Sequence, residues 1–512
     1  TWETSLPVVW ARGALGADDL SVDYRLVLKR NKISLPDGTS ASAALDAEGR
    51  LTAGNGISND LILDLTDGVF AAQGKRADVK DIALDLRAAQ TPSGEWHLSG
   101  QGQIQDARFV DSGLQVIAKQ IYASLPFAWP APAKAKQGHL SIGAIQWKKQ
   151  RMGGIQGRLQ QQGRGLAFDG QHRSKLFEDM IVLVTGETEG GKGSLDLRLP
   201  AYSLKKEVDL GGFVPAAEGY LARGRLEARA GLTYEKGRIG GSASLRLNQG
   251  RLRHEGQKLT LTGISAAIDL DDLAGVHSPP GQRLRIGEIQ LDKIQAEDLS
   301  VNFQVLSPGR LLIEKAGLNW CRGTIGVQDV ALATDPGRET ALTLDCRGIN
   351  MAMMLEQLGV AEGSGDVAMN GRIPVRWSRG RLSFDKGYLS SPPGRTGIIM
   401  LHGLKGAQQL LEGLPPDTPQ RVQMDIAMEA LKDYTYKSVD LKLESQADEL
   451  VFKLALEGKP NQLLPFAYDR ELGQFTRVQG KGQADFKGIG IDLNLRSPFN
   501  EILNYKKLLK PN

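Results

Sequence analysis

Apolar and polar residues alternate strictly along most of the chain. Leu20, Val22, Tyr24, Leu26 and Leu28 alternate with mainly polar neighbours, a period of two that is typical of a strand with one face in water. The same period recurs at Leu61-Leu63-Leu65, Ile82-Leu84-Leu86, Leu195-Leu197-Leu199, Leu342-Leu344, Val422-Met424-Ile426-Met428, Val439-Leu441-Leu443, Leu450-Phe452-Leu454-Leu456 and Ile489-Ile491-Leu493-Leu495. The pattern predicts half-buried antiparallel sheet from end to end.

Turns and helices punctuate this sheet. Asp37-Gly38, Glu48-Gly49, Asp67-Gly68 and Lys386-Gly387 are predicted hairpin turns, because glycine supplies the positive φ of tight turns. Apolar spacing predicts short helices over 351–358, 402–414 and 499–510. The last is amphipathic, with apolar residues Phe499, Ile502, Leu503, Leu508 and Leu509.

Two arrangements would cover the apolar side of so many strands. In one, two sheets pack face to face and their side chains fill a sandwich core. In the other, the sheet curls lengthwise and leaves an apolar trough, since an open sheet rarely exceeds ~10 strands without curling or splitting and this chain offers roughly three times that number. A trough of this size would imply an apolar ligand or partner.

The length sets a first expectation for domains. A chain of 512 residues would usually form about three domains. We expect an N-terminal part over 1–200, a middle part over 201–350 and a C-terminal part over 351–512 that ends in the helix 499–510. Because strands repeat throughout, we expect these parts to belong to one elongated sheet.

Composition and motifs exclude several functions. The net charge of +4, from 63 basic and 59 acidic residues, gives no reason to expect a nucleic acid partner. The six histidines lack metal-ligand spacing, and no nucleophile or phosphate-loop motif has its required context. We therefore expect no metal, no cofactor and no enzymatic activity. The chain begins at Thr1 without methionine, so we expect an N-terminal targeting or anchoring segment to be missing.

The two cysteines leave two alternatives open. Cys321 and Cys346 are 25 positions apart in strand-like segments that could be neighbours in the sheet. They are either two buried thiols or one disulfide in an oxidising compartment.

The C-terminal half carries a specific resemblance. It lies in residues 350–360 (NMAMMLEQLGV), 363–367 (GSGDV), 370–375 (NGRIPV), 386–389 (KGYL) and 391–395 (SPPGR), and in the closing runs 428–436 (MEALKDYTY), 456–461 (LEGKPN) and 492–495 (DLNL). These motifs resemble those of YdbH-like proteins, which belong with TamB and the AsmA-like proteins among bacterial bridge-like lipid transporters. The resemblance covers roughly residues 205–512.

The resemblance implies a fold and a place. The expected fold is all-β with a few short helices, an elongated antiparallel sheet folded lengthwise into a taco-like apolar groove that conducts phospholipid acyl chains. The expected place is the periplasm of a Gram-negative bacterium, with an inner-membrane anchor missing from this chain. The resemblance also implies a small outer-membrane lipoprotein partner, added as a strand at the C-terminal end of the sheet.

These expectations select candidate residues. We predict that the groove wall consists of the inward residues of the last strands: Val422, Met424, Ile426, Met428, Val439, Leu441, Leu443, Phe452, Leu454, Leu456, Ile489, Ile491, Leu493 and Leu495. The apolar residues of 499–510 are expected to form either a cap over the last strand or a movable gate.

Two other functions stay open. One is a structural envelope scaffold whose sheet core is filled by its own side chains. The other is an accessory protein of dicarboxylate transport, a label also given to this kind of domain, for which the sequence offers no basic cluster.

Overall fold

The computed structural model describes residues 2–497 except 17–18, 55, 149, 215–216, 237, 334–338, 379–380, 405–414, 416–417, 447–448, 472 and 479–482. The chain forms two compact units. Unit 1 contains Thr1–Tyr202 and Leu226–Ala243, and unit 2 contains Ser203–Arg225 and Ser244–Asn512. The expected three-part division stays a prediction.

Strands make up most of the described chain. The first sixteen are β1 (Trp2–Thr4), β2 (Val8–Leu15), β3 (Leu20–Ser34), β4 (Ser40–Ala53), β5 (Ile57–Ala72), β6 (Lys75–Gln90), β7 (Trp96–Asp111), β8 (Val116–Trp129), β9 (Gln137–Trp147), β10 (Gln150–Gln162), β11 (Gly165–Ser174), β12 (Ile181–Glu189), β13 (Lys192–Ser203), β14 (Val208–Asp209), β15 (Leu221–Glu235) and β16 (Arg238–His254). The others are β17 (Leu259–Leu270), β18 (Gln282–Leu291), β19 (Ile294–Ser307), β20 (Arg310–Trp320), β21 (Gly323–Ala333), β22 (Thr340–Asn350), β23 (Glu362–Gly365), β24 (Ala368–Ser378), β25 (Arg381–Phe384), β26 (Gly387–Ser390), β27 (Gly397–His402), β28 (Tyr434–Gln446), β29 (Glu449–Pro460), β30 (Phe466–Asp469), β31 (Gln474–Arg477) and β32 (Ile489–Ser497).

Thirty of these strands belong to one sheet, and β30 and β31 form a separate hairpin. From β2 to β13 each strand pairs antiparallel with its neighbours in sequence. Near the C-terminus the order changes, and β22, β24, β26, β28, β29 and β32 are successive neighbours. The prediction of a long all-antiparallel sheet is confirmed.

The strands of unit 1 are longer than the turn pattern predicted. Glu48-Gly49 lies inside β4 and Asp67-Gly68 lies inside β5, so both turn predictions are wrong. Gly49 serves close packing instead, because a Cβ there would lie 2.5 Å from the hydroxyl oxygen of Tyr24 on the adjacent strand. That hydroxyl donates a hydrogen bond to Asn59 Oδ1 at 3.0 Å.

A row of bulges crosses the long strands of unit 1. The register shifts between Leu28 and Asn31 on β3, between Ser42 and Ala44 on β4, and at two points along β7. Positive φ angles accompany the irregularities, at Asp67 (52°) on β5, Asp106 (49°) on β7 and Gln120 (56°) on β8. A bulge bends its strand and increases the local twist. Because the bulged positions are neighbours across the aligned strands, the bends lie side by side in the sheet.

Two α-helices are described, α1 (Met351–Gln357) and α2 (Pro419–Ala430). The predicted helix over 351–358 is confirmed, and Asn350 caps it by accepting a hydrogen bond from the Met353 N–H at 3.0 Å. The predicted helix over 402–414 is wrong at its start, since His402 ends β27, and 405–414 lie outside the described residues. The predicted helix over 499–510 also lies outside them.

The packed core of the described chain lies in unit 2. Most of its buried side chains come from α1, α2 and the strands from β22 to β32, and Cys321 in the turn between β20 and β21 also belongs to it. Ile349, Met351 and Phe452 have no exposed surface there. Unit 1 has no cluster of this kind among its described residues.

We expect Gly49→Ala to lower the stability of unit 1 by about 1–3 kcal/mol, since the new methyl group would overlap the Tyr24 ring and the Asp60 carbonyl oxygen. Thermal unfolding followed by circular dichroism measures this. Gly193→Ala on β13 is the matched control, because its nearest neighbour would lie 3.6 Å away. Equal melting temperatures for the two variants would contradict the packing role of Gly49.

Candidate functional site

One face of unit 1 is apolar across eleven consecutive strands. Directly opposed residues share a face of an antiparallel sheet. The register therefore aligns one row, one residue per strand from β3 to β13: Leu28, Leu45, Leu65, Ile82, Ile104, Ala123, Leu140, Gly157, Gly170, Val184 and Leu197. Ten strand spacings make this row about 50 Å long. We call the surface that contains it the apolar face.

No second layer covers the apolar face within unit 1. Between residues 3 and 202, no described Leu, Ile, Met, Phe, Tyr or Trp side chain is buried. The buried apolar residues of this segment are Ala47, Val79, Ala107, Ala118 and Val184. The strands of unit 1 make their main contacts with neighbouring strands of the sheet. The large apolar side chains are therefore half-buried by their neighbours and remain accessible from one side.

The bulges place small residues where the apolar face bends. Val79, Ala107 and Ala118 lie beside the bulged positions on β6, β7 and β8, and each is buried. A bend toward the apolar side crowds the side chains along its line, so small residues fit there.

The opposite face of unit 1 carries ion pairs. Arg25 binds Asp46 through two hydrogen bonds of 2.6 and 3.0 Å, and Arg50 contacts Asp23 at 2.6 Å. The hydrogen bond from Arg50 holds the pKa of Asp23 below its ordinary value. These pairs are exposed and add little stability, but they keep this face polar. The two faces of the sheet therefore differ sharply in polarity.

The strands at the end of unit 2 continue the alternation but are covered. Leu441 lies opposite Leu454, which lies opposite Leu493. Nine of the predicted wall residues are exposed by 4% or less: Val439, Leu441, Leu443, Phe452, Leu454, Leu456, Ile491, Leu493 and Leu495. Ile489 packs against the same cluster and is partly buried. The structure brings these side chains together as a filled core, and their role as a groove wall stays a prediction.

Four predicted wall residues are not on a strand. Val422, Met424, Ile426 and Met428 lie on α2, so the prediction of a strand there is wrong. A period of two over seven residues also contains the period of four that places residues on one side of a helix. Pro419 at the start of the segment favours the helix, because its fixed φ suits the first helical position.

Helices α1 and α2 pack on the cluster of unit 2. Met354 and Leu355 of α1 and Ile426 of α2 are buried in it, while Met424 and Met428 are partly buried against it. The indole N–H of Trp320 donates to Gln357 Oε1 at 2.8 Å, which ties the end of α1 to β20. Residues of both helices and of the last strands therefore belong to the same buried cluster.

The two cysteines are free thiols. Cys321 lies in the turn between β20 and β21, and Cys346 lies on β22 opposite Ile325. Both side chains are buried in the cluster of unit 2. Burial, with a smaller effect of Glu356 on Cys321 and of Asp345 on Cys346, raises the pKa of each thiol to about 12. Of the two alternatives, the structure shows the buried thiols.

The gate residues cannot be placed. Phe499, Ile502, Leu503, Leu508 and Leu509 lie outside the described residues. In the part of the chain that is described, no three His, Cys, Asp or Glu side chains are grouped so as to hold a metal ion. Neither described helix has the length and apolarity to cross a bilayer.

The sequence prediction missed the uncovered part of the sheet. Alternation marked Leu61-Leu63-Leu65 and Ile82-Leu84-Leu86 as strands, but the candidate wall was placed near the C-terminus. Periodicity shows which residues share a face and does not show whether another layer covers that face. The signal that distinguishes the regions is the presence of α-helices after residue 350 and their absence from the described residues before it.

Comparison with known families gives a match over most of the chain. The family model described as "YdbH-like: Intermembrane phospholipid transport protein YdbH" matches residues 9–464. The match includes the whole apolar face of unit 1 and most of the cluster of unit 2. No curated protein and no solved structure matches the chain.

We expect Cys321 and Cys346 to resist alkylation by iodoacetamide in the native protein. With a pKa of about 12 each thiol is almost entirely protonated at pH 8, and only the thiolate reacts. Intact-mass measurement should show neither cysteine modified in native buffer and both modified in guanidinium chloride. Rapid modification of the native protein would contradict the burial of the thiols.

Proposed function

Because the chain belongs to the family of YdbH-like intermembrane phospholipid transport proteins, we propose that it moves phospholipids by holding their acyl chains on the apolar face. One observation carries this proposal. The face is apolar across eleven strands, and no large apolar side chain on it is buried among the described residues of the segment.

The free energy of burying an acyl chain would be similar at each position along the apolar face, which suits a ligand that slides. Burial of an acyl chain is worth about 0.8 kcal/mol per CH₂. Leucine, isoleucine, valine, alanine and glycine make up the whole central row, so neighbouring positions along it offer similar contacts. A lipid that moves from strand to strand therefore exchanges equivalent apolar contacts, and the protein need supply no chemistry to the lipid itself.

The row of bulges supports a groove rather than a flat surface. Each bulge bends its strand, and the buried Val79, Ala107 and Ala118 mark the line of the bend. A bent face removes more of an acyl chain from water than a flat one. Polar head groups would stay at the strand ends, where the turns lie.

The cluster of unit 2 has a different role in this proposal. Its strands show the same alternation, so Val439, Leu441, Leu443, Phe452, Leu454, Leu456, Ile489, Ile491, Leu493 and Leu495 would line a groove within unit 2. In the structure these side chains belong to a buried cluster that also contains residues of α1 and α2. An acyl chain could reach them only by displacing the helices, whose methionines are flexible and re-pack easily.

A structural scaffold is the second candidate. The filled cluster of unit 2 favours it, since this part of the sheet has the self-filled core that a scaffold would have. A scaffold does not account for unit 1, where no described residue of the unit forms a second layer on the large apolar face. Contiguous exposed apolar surface of this extent is rare in proteins without an apolar ligand or partner.

The family description supports a location between two membranes. We propose that the protein works in the periplasm, attached to the inner membrane, and that it supports lipid homeostasis of the outer membrane. A small outer-membrane lipoprotein would pair with β32, because β29 is the only described strand beside it. An unpaired strand edge offers main-chain hydrogen bonds to an added strand.

We expect Leu63→Asn with Leu84→Asn to reduce bound phospholipid several-fold. These leucines lie opposite each other on the apolar face, and amides there would face acyl chains without hydrogen-bond partners. Mass spectrometry of the purified protein measures phospholipid per chain. The control is Ile62→Asn with Ala83→Asn, on the other face of the same strands. Equal lipid content in both variants would contradict lipid binding by the apolar face. A lipid-free wild type would contradict the proposed function.

We expect a lipoprotein partner to slow amide hydrogen exchange in β32. Strand addition would engage main-chain groups that are unpaired in the described structure. Exchange measured by mass spectrometry should change in 489–497 and stay unchanged in β12, a strand of unit 1 between two neighbours. Unaltered exchange in β32 at saturating partner would rule out addition at this edge.

A further inference from the structure

A tryptophan and an arginine meet at one end of the apolar face. Trp129 ends β8 opposite Leu98, two residues beyond Phe127, and so lies at the rim of this face. Its side chain is 46% exposed. The guanidinium carbon of Arg164, in the turn between β10 and β11, lies 5.2 Å from the centroid of the Trp129 ring. The contact holds a cation where the apolar surface ends.

A basic loop lies next to this pair. Residues 130–136 (PAPAKAK) join β8 to β9 and contain Lys134 and Lys136, both exposed, and no acidic residue. Gln160 Nε2 donates to the Ala135 carbonyl oxygen at 2.9 Å. The side chain of Gln161 bonds to both the N–H and the carbonyl oxygen of Ala128, at 2.8 and 2.9 Å. One hydrogen bond thus joins the loop to β10, and two more join the end of β8 to β10, the strand that leads to Arg164.

The three cations differ in their ion pairing from Arg25, Arg50 and Arg158 of unit 1. Arg25, Arg50 and Arg158 each have a carboxylate partner within 2.8 Å. Lys134, Lys136 and Arg164 form no ion pair with any described residue. Glu189 lies near Gly163, in the turn before Arg164, but does not pair with Arg164. The three cations are thus unpaired among the described residues, and Glu189 is a carboxylate close to them.

A second pair of a tryptophan and a cation lies at the other end of β8, on the neighbouring strand β9. Trp147 lies at the end of β9, and the Lys148 ammonium is 4.8 Å from its ring centroid. Tryptophan beside a cation is the arrangement that proteins place where apolar and polar phases of a lipid meet. The rim at Trp129 has in addition the two lysines of the loop.

We propose that Trp129, Lys134, Lys136 and Arg164 form a rim site that binds the phosphate of a phospholipid head group while its acyl chains lie on the apolar face. This inference rests on the proposed function. Arginine donates paired hydrogen bonds to phosphate oxygens, and the lysines add charge. Leu98, Leu125 and Phe127 lie on the apolar face beside Trp129, where the acyl chains would begin.

Two short-chain lipids that differ in the phosphate test the rim site. Dihexanoyl phosphatidylglycerol and dihexanoylglycerol are titrated into the 512-residue chain and binding is measured by calorimetry. The wild type should bind the phospholipid about tenfold more tightly. The variant K134Q/K136Q/R164Q should lose this preference and keep its affinity for dihexanoylglycerol. The control K119Q/R173Q/R198Q removes the same charge from exposed strand positions and should keep the preference.

The outcomes separate the rim site from the proposed function. If the wild type binds neither lipid, the proposed function fails and the rim site fails with it. If the wild type binds both lipids but the rim variant keeps the preference, or the control loses it equally, only the rim site is wrong. Inorganic phosphate in tenfold excess should not displace the phospholipid, and displacement would mean a site for free phosphate and overturn the inference.

Discussion

Main-chain hydrogen bonding between neighbouring strands is the constraint on which the rest of unit 1 depends. In most β proteins a second layer buries the apolar side of the sheet and supplies much of the stability. Here the described large apolar side chains of residues 3–202 are never buried, so the strand ladders and side-by-side contacts within one layer hold this segment. Strands of up to 16 residues provide long ladders, and the same lack of a covering layer leaves the apolar face accessible to a ligand.

In unit 2 the same alternation of apolar and polar residues produces a buried core. Its last strands carry apolar residues in register, as unit 1 does, yet these residues are buried in a cluster that also contains residues of α1 and α2. Seven of the nine methionines of the chain lie between residues 351 and 428, in or near these helices. Methionine fills irregular space and adapts to new neighbours. The cluster of unit 2 thus combines leucines on strands with methionines on helices. The methionine side chains can adapt to new neighbours more easily than the leucines.

Alternation along the chain predicted the fold class and most strands, because a period of two is a direct consequence of pleated backbone. It misjudged Val422 to Met428, where two- and four-residue periods coincide, and it took Gly49 for a turn although Tyr24 covers it. The candidate wall near Leu441 and Leu454 is buried in the cluster of unit 2, which the alternation does not predict. Burial by a segment distant in sequence depends on the tertiary structure, so the local alternation of apolar and polar residues does not predict it.

The sequential pairing from β2 to β13 has a consequence for how such a chain changes length. Each strand depends on the strands before and after it, so a duplicated or deleted hairpin would leave the other ladders intact. One hairpin adds about 10 Å in the hydrogen-bonding direction. The length of the apolar face therefore depends on the number of hairpins. Evolution could fit that length to the width of a compartment by adding or removing hairpins, without redesigning a core.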